Sequence, residues 1–348
     1  MPVFSAEELR RTGSRLLAAC GASEEEAGLV ADELVESSLR GLDSHGVVRL
    51  VMYADHVHEG TIRPGTPVTI VKENPSTALV DCGSGFGIVG ALRMVEIVAE
   101  KARATGLACA ASLRLNHVGR LGSCPEKLAA RGLFGLATAN SPRHGHFVSP
   151  WGGQEGRLAT NPIAWAAPTA GSPLVMDMST SMISEGKIRI LMQEGSPVPE
   201  GSILDADGAP TTDPRRFYGP PRGTILPFGS PRLGYKGFGL GLLVEILGSA
   251  LAGVPLTPPE QPSPYGNGLF LLAVDPEAFG GRERFRQLVS EFSAYVASSA
   301  PAPGTDGVIL PGALDAAARE RRLQEGIPVA EETWQQIREA GRRAGIEL

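Results

Sequence analysis

The sequence predicts an α/β fold that carries a helical unit built from both ends of the chain. Two capping boxes, Ser5-Ala6-Glu7-Glu8 and Ser23-Glu24-Glu25-Glu26, open helices near the N-terminus, because a Ser and a Glu three positions on satisfy each other's free amides. From Val68 onward, apolar stretches of strand length alternate with stretches of helical period, the pattern of an α/β domain. A charged, helix-forming tail over 312–348 follows the linker-like Ala300-Pro301-Ala302-Pro303-Gly304 and is free to pack back on the first helices.

Taken in order, an amphipathic helix over 23–39 is followed by an apolar-rich helix over 47–57. Gly60-Thr61-Ile62-Arg63-Pro64-Gly65 breaks the helical pattern. A strand over 78–82, a helix over 91–105, a strand over 107–113, a helix over 124–131 and a strand over 134–139 come next. Residues 195–231, rich in Gly, Pro, Asp and Ser, read as a long surface loop. A buried apolar helix over 237–255, a strand over 268–274 and a helix over 282–298 complete the α/β part. The expected division is residues 1–75 with 300–348 as the helical domain and 76–299 as the α/β domain.

Composition narrows the function. A chain of 348 residues with 42% hydrophobic and 20% charged residues builds a real core. A net charge of −6 leaves no broad basic surface, which argues against nucleic acid as a partner. Cys20, Cys82, Cys109 and Cys124 have no metal-ligand spacing and read as small apolar residues in a reducing compartment. Residues 237–255 are apolar enough to mimic a membrane span, yet contain Glu245 and five glycines, and lack an aromatic belt. The expectation is a soluble, cytoplasmic protein with no membrane partner.

The most informative segment is Asp43-Ser44-His45-Gly46-Val47-Val48-Arg49. Ser44, His45 and Gly46 fall at a helix N-terminus, and Val48, Met52 and His56 share a helical row. A His suits proton donation or acceptance near neutrality, and Arg49 one turn on presents a planar fork to a carboxylate. Reduction of a 2-keto acid needs both. The same segment also reads as a capped helix start with a surface His and Arg.

Gly85-Phe86-Gly87-Ile88-Val89-Gly90 matches the glycine-rich dinucleotide fingerprint between a strand and a helix. That fingerprint needs an acid at the end of the next strand to hold ribose. Here the chain reads Ala111-Ser112-Leu113-Arg114-Leu115-Asn116-His117, so these glycines are assigned to a tight turn.

His117 in Asn116-His117-Val118-Gly119-Arg120-Leu121-Gly122 sits past the end of a strand, where α/β sheets carry ligands, with glycines that admit close backbone approach. Asn140-Ser141-Pro142 closes another strand, and Thr160-Asn161-Pro162 is a turn whose Thr can meet a ligand or simply make the turn. Asp177 in Leu174-Val175-Met176-Asp177-Met178-Ser179-Thr180-Ser181 can hold ribose hydroxyls or cap a helix. Lys236 in Gly234-Tyr235-Lys236-Gly237 adds charge to a helix start that already attracts anions. His144-Gly145-His146 hints at metal, but no partner spacing supports it, and none is expected.

These segments, with Trp151-Gly152-Gly153, Leu158-Ala159, Gly186-Lys187, Phe238-Gly239 and Gly326-Ile327-Pro328, keep order and spacing over nearly the whole chain. The ordered set resembles the malate/L-lactate dehydrogenase family of the second, non-Rossmann type. That family also holds ureidoglycolate dehydrogenase, diketogulonate reductase, sulfolactate dehydrogenase and piperideine- and pyrroline-2-carboxylate reductases. The resemblance implies a homodimeric oxidoreductase using NAD or NADP, with a non-Rossmann, mixed-sheet cofactor-binding domain.

By the family pattern His45 is the proton donor in reduction, oriented by Ser44, and Arg49 binds the substrate carboxylate. His117 lies beside the cofactor, and in some relatives is itself the proton-transfer group. Gly119, Ser141, Asp177, Met178, Ser179, Lys236 and Gly237 fall to the cofactor, and Thr160, Glu185 and Gly186 to the substrate. Lys187 stands where ketimine-reducing relatives carry an Asp relay, so the small 2-hydroxy/2-keto carboxylate is favoured over the imine. Glu185 and Ile309-Leu310-Pro311-Gly312-Ala313 depart from the usual residues. The rival readings are ketimine reduction, ureidoglycolate oxidation, and a non-catalytic binding protein of the same fold.

Overall fold

The computed structural model describes residues 1–141, 145–256 and 266–348. The N-terminal part holds β1 (Val3–Phe4), α1 (Ala6–Ala19), α2 (Glu24–Leu39) and α3 (Arg49–His58). Then come β2 (Thr69–Glu73), β3 (Thr77–Asp81), α4 (Gly87–Thr105), β4 (Leu107–Leu113), α5 (Ser123–Ala129), β5 (Phe134–Asn140), β6 (Ile163–Ala167) and β7 (Leu174–Met178). They are followed by α6 (Glu185–Gln193), β8 (Ile203–Leu204), β9 (Pro210–Thr211), α7 (Arg215–Tyr218), β10 (Thr224–Ile225), α8 (Gly234–Gly248), β11 (Gly268–Val274) and α9 (Arg282–Ala297). The chain closes with α10 (Ala313–Glu325), β12 (Ile327–Pro328) and α11 (Glu331–Arg343).

Both capping boxes form in full: the Ser5 and Ser23 hydroxyls accept the Glu8 and Glu26 amides, and each Glu carboxylate accepts the amide of its Ser. Seven strands make one mixed sheet in the order β2-β3-β4-β11-β5-β6-β7, in which only β3 and β4 run parallel. On α4, Ala91, Met94, Val95, Val98 and Ala102 recur at helical spacing and are buried. They meet Leu128 of α5 and Ala108, Ala137, Leu269 and Leu271 of the sheet in one core. Burying a Val, Leu or Met contributes about 1.5–3 kcal/mol, so this layer holds the sheet in place.

The register brings the ends of several strands to one edge. Asp81 at the end of β3 pairs with Leu113 at the end of β4, and Asn140 at the end of β5 pairs with Gly268 at the start of β11. Ile163 at the start of β6 pairs with Met178 at the end of β7. The segments holding His117, Ser141, Thr160 and Ser179 therefore leave the same edge of one sheet.

The two ends of the chain meet as expected. β1 pairs with β12 through Phe4 and Ile327, and the Phe4 and Trp334 rings lie 4.3 Å apart. Leu9, Leu16 and Leu34 share a buried core with Ile327, Ile337 and Ala340.

Three expectations are corrected. Residues 195–231 are not simply loop: β8, β9 and β10 form a three-stranded sheet, and α7 lies among them. Ile203, Phe217 and Ile225 are fully buried against Val148 and Leu158; strands of two residues are too short to show alternation. The apolar helix begins at Gly234 and is not buried all round, since Leu242, Leu243 and Ile246 are exposed. Together with the turn that follows it, Gly234–Ala252 is long and apolar enough to cross a membrane, but Val244 and Glu245 are buried within the α/β part. Finally, Asp43–His45 is a 3-10 turn and α3 starts only at Arg49, because Arg49 bonds back to the Gly46 carbonyl three residues earlier.

Candidate active site

The turn that carries His45 is held from three directions. The Ser38 hydroxyl accepts the Val47 amide at 3.1 Å. A side chain at Gly46 would lie 2.1 Å from that hydroxyl oxygen, so only glycine fits after His45. From the other end of the sequence, the Arg322 guanidinium of α10 grips the Asp43 carboxylate at 2.6 and 3.0 Å and also donates to the Ser38 carbonyl.

His45 stacks on His117, with ring centroids 5.5 Å apart and planes 3° from parallel. The glycine-rich turn makes that approach possible. A side chain on Gly87 would lie 2.1 Å from the Asn116 carbonyl oxygen, and the Asn116 amide donates to the carbonyls of Thr61, Ser84 and Gly85. The start of α4 is thus covered by the backbone before His117, leaving no room there for a pyrophosphate.

Burial lowers the His45 pKa to about 4, with the Arg49 and Arg120 charges acting the same way. Burial, then Arg49 and His45, push His117 well below the usual imidazole range. His45 Nδ1 is buried without a protein partner among the described residues. On His117, Nδ1 lies 2.8 Å from the Tyr53 hydroxyl and accepts the Gly119 amide at 3.3 Å.

The Arg49 guanidinium is anchored at one end. Its Nε donates to the Ser44 carbonyl at 2.6 Å and Nη1 meets Met52 Sδ at 3.4 Å. No carboxylate pairs with it among the described residues, so most of its fork faces the site unpaired. Ser44 therefore positions Arg49 through its carbonyl, and no bond joins its hydroxyl to His45 among the described residues.

The start of α6 closes over this group. A side chain on Gly186 would lie 3.0 Å from Ser44 Cβ, so the glycine lets the helix reach the turn. Glu185 accepts from Tyr218 at 2.9 Å and from Arg189 at 3.1 Å. The Glu185 charge also acts on Arg49, opposing the burial that lowers the arginine's pKa. Lys187 is exposed, and its amide meets the Ser184 capping hydroxyl.

The remaining candidates lie along the sheet edge. Asp177 Oδ2 accepts the Gly122 amide at 2.7 Å, and burial raises the carboxyl's pKa against the opposing effect of that amide and of Arg120. Asp177 thus caps the start of α5, and its Oδ1 has no partner among the described residues. The Ser179 hydroxyl donates to the Ser181 carbonyl at 3.1 Å, and the Thr160 carbonyl accepts the Thr180 amide at 3.0 Å. Met178 is half-buried opposite Ile163. Asn140, Asn161, Glu245 and Ser249 form a buried network that locks α8 to the ends of β5 and β6. Lys236 stands exposed in the first turn of α8, whereas Gly237 is packed so tightly that a side chain there would lie 2.3 Å from the Phe228 amide nitrogen. Ser141 accepts His146 Nε2 on its carbonyl at 3.1 Å. His144 lies outside the described residues, and no group of three potential metal ligands occurs among those described.

Sequence reasoning missed Tyr53 and Arg120. Tyr53 stands one turn beyond Arg49 on α3, a spacing that could have found it. Arg120 is 5% exposed, pairs with Glu126 at 2.7 Å, and leaves Nε and Nη2 without hydrogen-bond partners. A cavity of about 430 Å³ beside it, walled by Arg40, Arg319, Glu36 and Glu126, is an ion-pair seam between α2 and α10 rather than the cleft of the histidine pair. Arg120 Nη2 does face the Asp315 carboxylate at 3.8 Å, so the guanidinium is already surrounded by acids. The Asp177 Oδ1 left over beside the Gly122 amide fits a ligand hydroxyl, such as those a dinucleotide's ribose carries.

The fold and site define a mixed-sheet α/β oxidoreductase with paired histidines beside an unpaired arginine. The chain belongs to the malate/L-lactate dehydrogenase family, whose model matches residues 4–338. It is 35% identical over 338 residues to the malate dehydrogenase of Pyrococcus abyssi, covering 95% of this chain and 92% of that one. It is also 35% identical over 320 residues to the L-lactate dehydrogenase of Cupriavidus necator, covering 91% and 90%. The solved sulfolactate dehydrogenase of Methanocaldococcus jannaschii superposes with a TM-score of 0.89 at 32% identity, over 99% of this chain and 98% of that one.

Proposed function

We propose that this enzyme interconverts a small 2-hydroxy carboxylate and its 2-oxo form with NAD or NADP. The observation that carries the reading is the unpaired Arg49 fork next to a half-buried His45 whose buried Nδ1 has no partner among the described residues. The names of the relatives, malate, L-lactate and sulfolactate dehydrogenase, support the same substrate class.

Bound nicotinamide would supply the hydride that adds to C2 in reduction, and is itself oxidised. Arg49 holds the substrate carboxylate, with Ser44 fixing the guanidinium. With the anionic substrate beside it His45 takes up a second proton, gives that proton to the C2 oxygen as the carbonyl becomes a hydroxyl, and as the neutral ring takes one back in oxidation. Thr160, Glu185 and Gly186 line the substrate side. His117, Gly119, Ser141, Asp177, Met178, Ser179, Lys236 and Gly237 would hold the cofactor, the Asp177 carboxylate offering an acceptor to its hydroxyl groups. Holding the reactants in this geometry is the protein's contribution to the rate.

The reading extends to the assembly. Residues 1–75 with 300–348 act as the helical domain, apart from β2, which pairs into the sheet, and 76–299 act as the α/β domain that binds cofactor and substrate. The exposed Leu242, Leu243 and Ile246 of α8 support a homodimer that buries them. The enzyme is soluble and cytoplasmic.

The test is to supply NADH and NADPH with pyruvate, oxaloacetate, sulfopyruvate and piperideine-2-carboxylate in turn and follow nicotinamide absorbance. Turnover is expected with oxo acids. No turnover with any of them, together with no binding of either nicotinamide, overturns the reading. His45→Ala should lower kcat by about 10²–10⁴-fold and leave cofactor affinity nearly unchanged.

A further inference from the structure

The His117 ring is held along one edge by two groups of different kinds. The Gly119 amide points at Nδ1 from 3.3 Å, and an amide N–H can only donate, so Nδ1 carries a lone pair. The Tyr53 oxygen stands 2.8 Å from the same Nδ1 and 3.3 Å from the His117 carbonyl oxygen. With Nδ1 an acceptor, the phenol hydrogen lies between the two, and the longer contact to the carbonyl is secondary. Tyr53 is almost wholly buried, against Phe86 as well as His117, and cannot swing away to another partner.

The surroundings keep the ring neutral. Arg49 and His56 reach it from α3, and His45 from the Asp43 turn. All three disfavour a second proton, and no carboxylate bonds to the ring among the described residues. A neutral imidazole whose Nδ1 only accepts must carry its hydrogen on Nε2.

We infer that Tyr53 is a positioning residue: with the Gly119 amide it holds His117 in the Nε2–H tautomer, so that His117 meets a bound ligand as a hydrogen-bond donor. Nε2 then has no lone pair with which to take a proton from a substrate hydroxyl. Proton exchange falls to His45, whose Nδ1 is unpartnered. The tautomer is a property of the free protein; only the role of the Nε2 donor rests on the oxidoreductase reading.

The experiment is a long-range ¹⁵N–¹H correlation spectrum of the labelled full chain without ligand at neutral pH, with His117 identified by its loss in His117→Asn. The expected signature is a pyridine-type Nδ1 and a pyrrole-type Nε2. A ring protonated on Nδ1, or on both nitrogens, overturns the inference, whether or not the protein turns over any carboxylate. Tyr53→Phe, which removes only the hydroxyl, should shift the Nδ1 resonance, raise the Nδ1–H population, and lower kcat about tenfold with KM within about twofold. Incorporation of 3-fluorotyrosine keeps the hydroxyl and strengthens it as a donor, so it tests the contact even if Tyr53→Phe does not fold. An Nδ1 resonance unmoved by the fluorinated residue removes Tyr53 from the role.

Discussion

The imidazole of His45 lies face to face with that of His117, 5.5 Å between centroids and 3° from parallel, although the two come from opposite parts of the fold. One is carried by a turn of the helical unit and the other by the edge of the sheet. Two neutral rings can share this space beside Arg49; two imidazolium rings would repel each other and the guanidinium.

That pairing makes stability pH-dependent. The folded pKa of His45 is lowered from 6.5 to about 4, so the unfolded chain binds the proton more readily over that interval. Stability is full above about pH 6.5 and is lost as pH falls towards 4, by up to about 3 kcal/mol. His117 shifts in the same direction and adds to the loss. Denaturant unfolding at neutral and acid pH should show a smaller acid loss in His45→Asn than in the unsubstituted protein. Equal losses would clear His45 of the effect.

Arg49→Lys should raise KM for the carboxylate about tenfold or more, with kcat less affected. A lysine keeps the charge but cannot bond the Ser44 carbonyl and still present a two-pronged face to a carboxylate. A steady-state comparison decides; an unchanged KM would mean that the carboxylate binds elsewhere.

Arg322→Ala should lower stability by about 1–3 kcal/mol and reduce kcat. The bidentate clamp on Asp43 fixes the turn bearing His45, and the Arg322 side chain is only 14% exposed. Thermal unfolding and kcat are measured on the same sample. A loss of stability with kcat intact would show that the clamp serves the fold and not the site.

On the proposed homodimer, Ile246→Asp should lower the mass read by light scattering after size-exclusion chromatography to that of a monomer. Ile246 is 53% exposed on α8, and a charge there costs little in a monomer but much in an apolar interface. A variant that remains as dimeric as the unsubstituted protein would place the interface on another face.

Much of the architecture was legible because it is locally encoded. The Ser5–Glu8 and Ser23–Glu26 boxes set two helix starts, and the strand over 107–113 coincides with β4. The two-residue strands β8, β9 and β10 were not legible, because their cohesion comes from pairing and from the burial of Phe217 rather than from any periodicity of their own. The exposed side of α8 was hidden for a related reason: apolar residues surround the helix, so no pattern marks the face left uncovered.

The sequence by itself determined the helix starts, the α/β succession, the absence of a ribose acid after the glycine-rich turn, and the ordered landmarks that name His45, Arg49 and His117. Only the tertiary structure decided what those residues touch. Tyr53 reaches His117 across 64 positions and Arg322 reaches Asp43 across 279. Capping and periodicity act over a few residues and leave a mark in the sequence. A hydrogen bond that fixes a tautomer, or a clamp that holds a turn, exists only once the packed core has brought distant segments together.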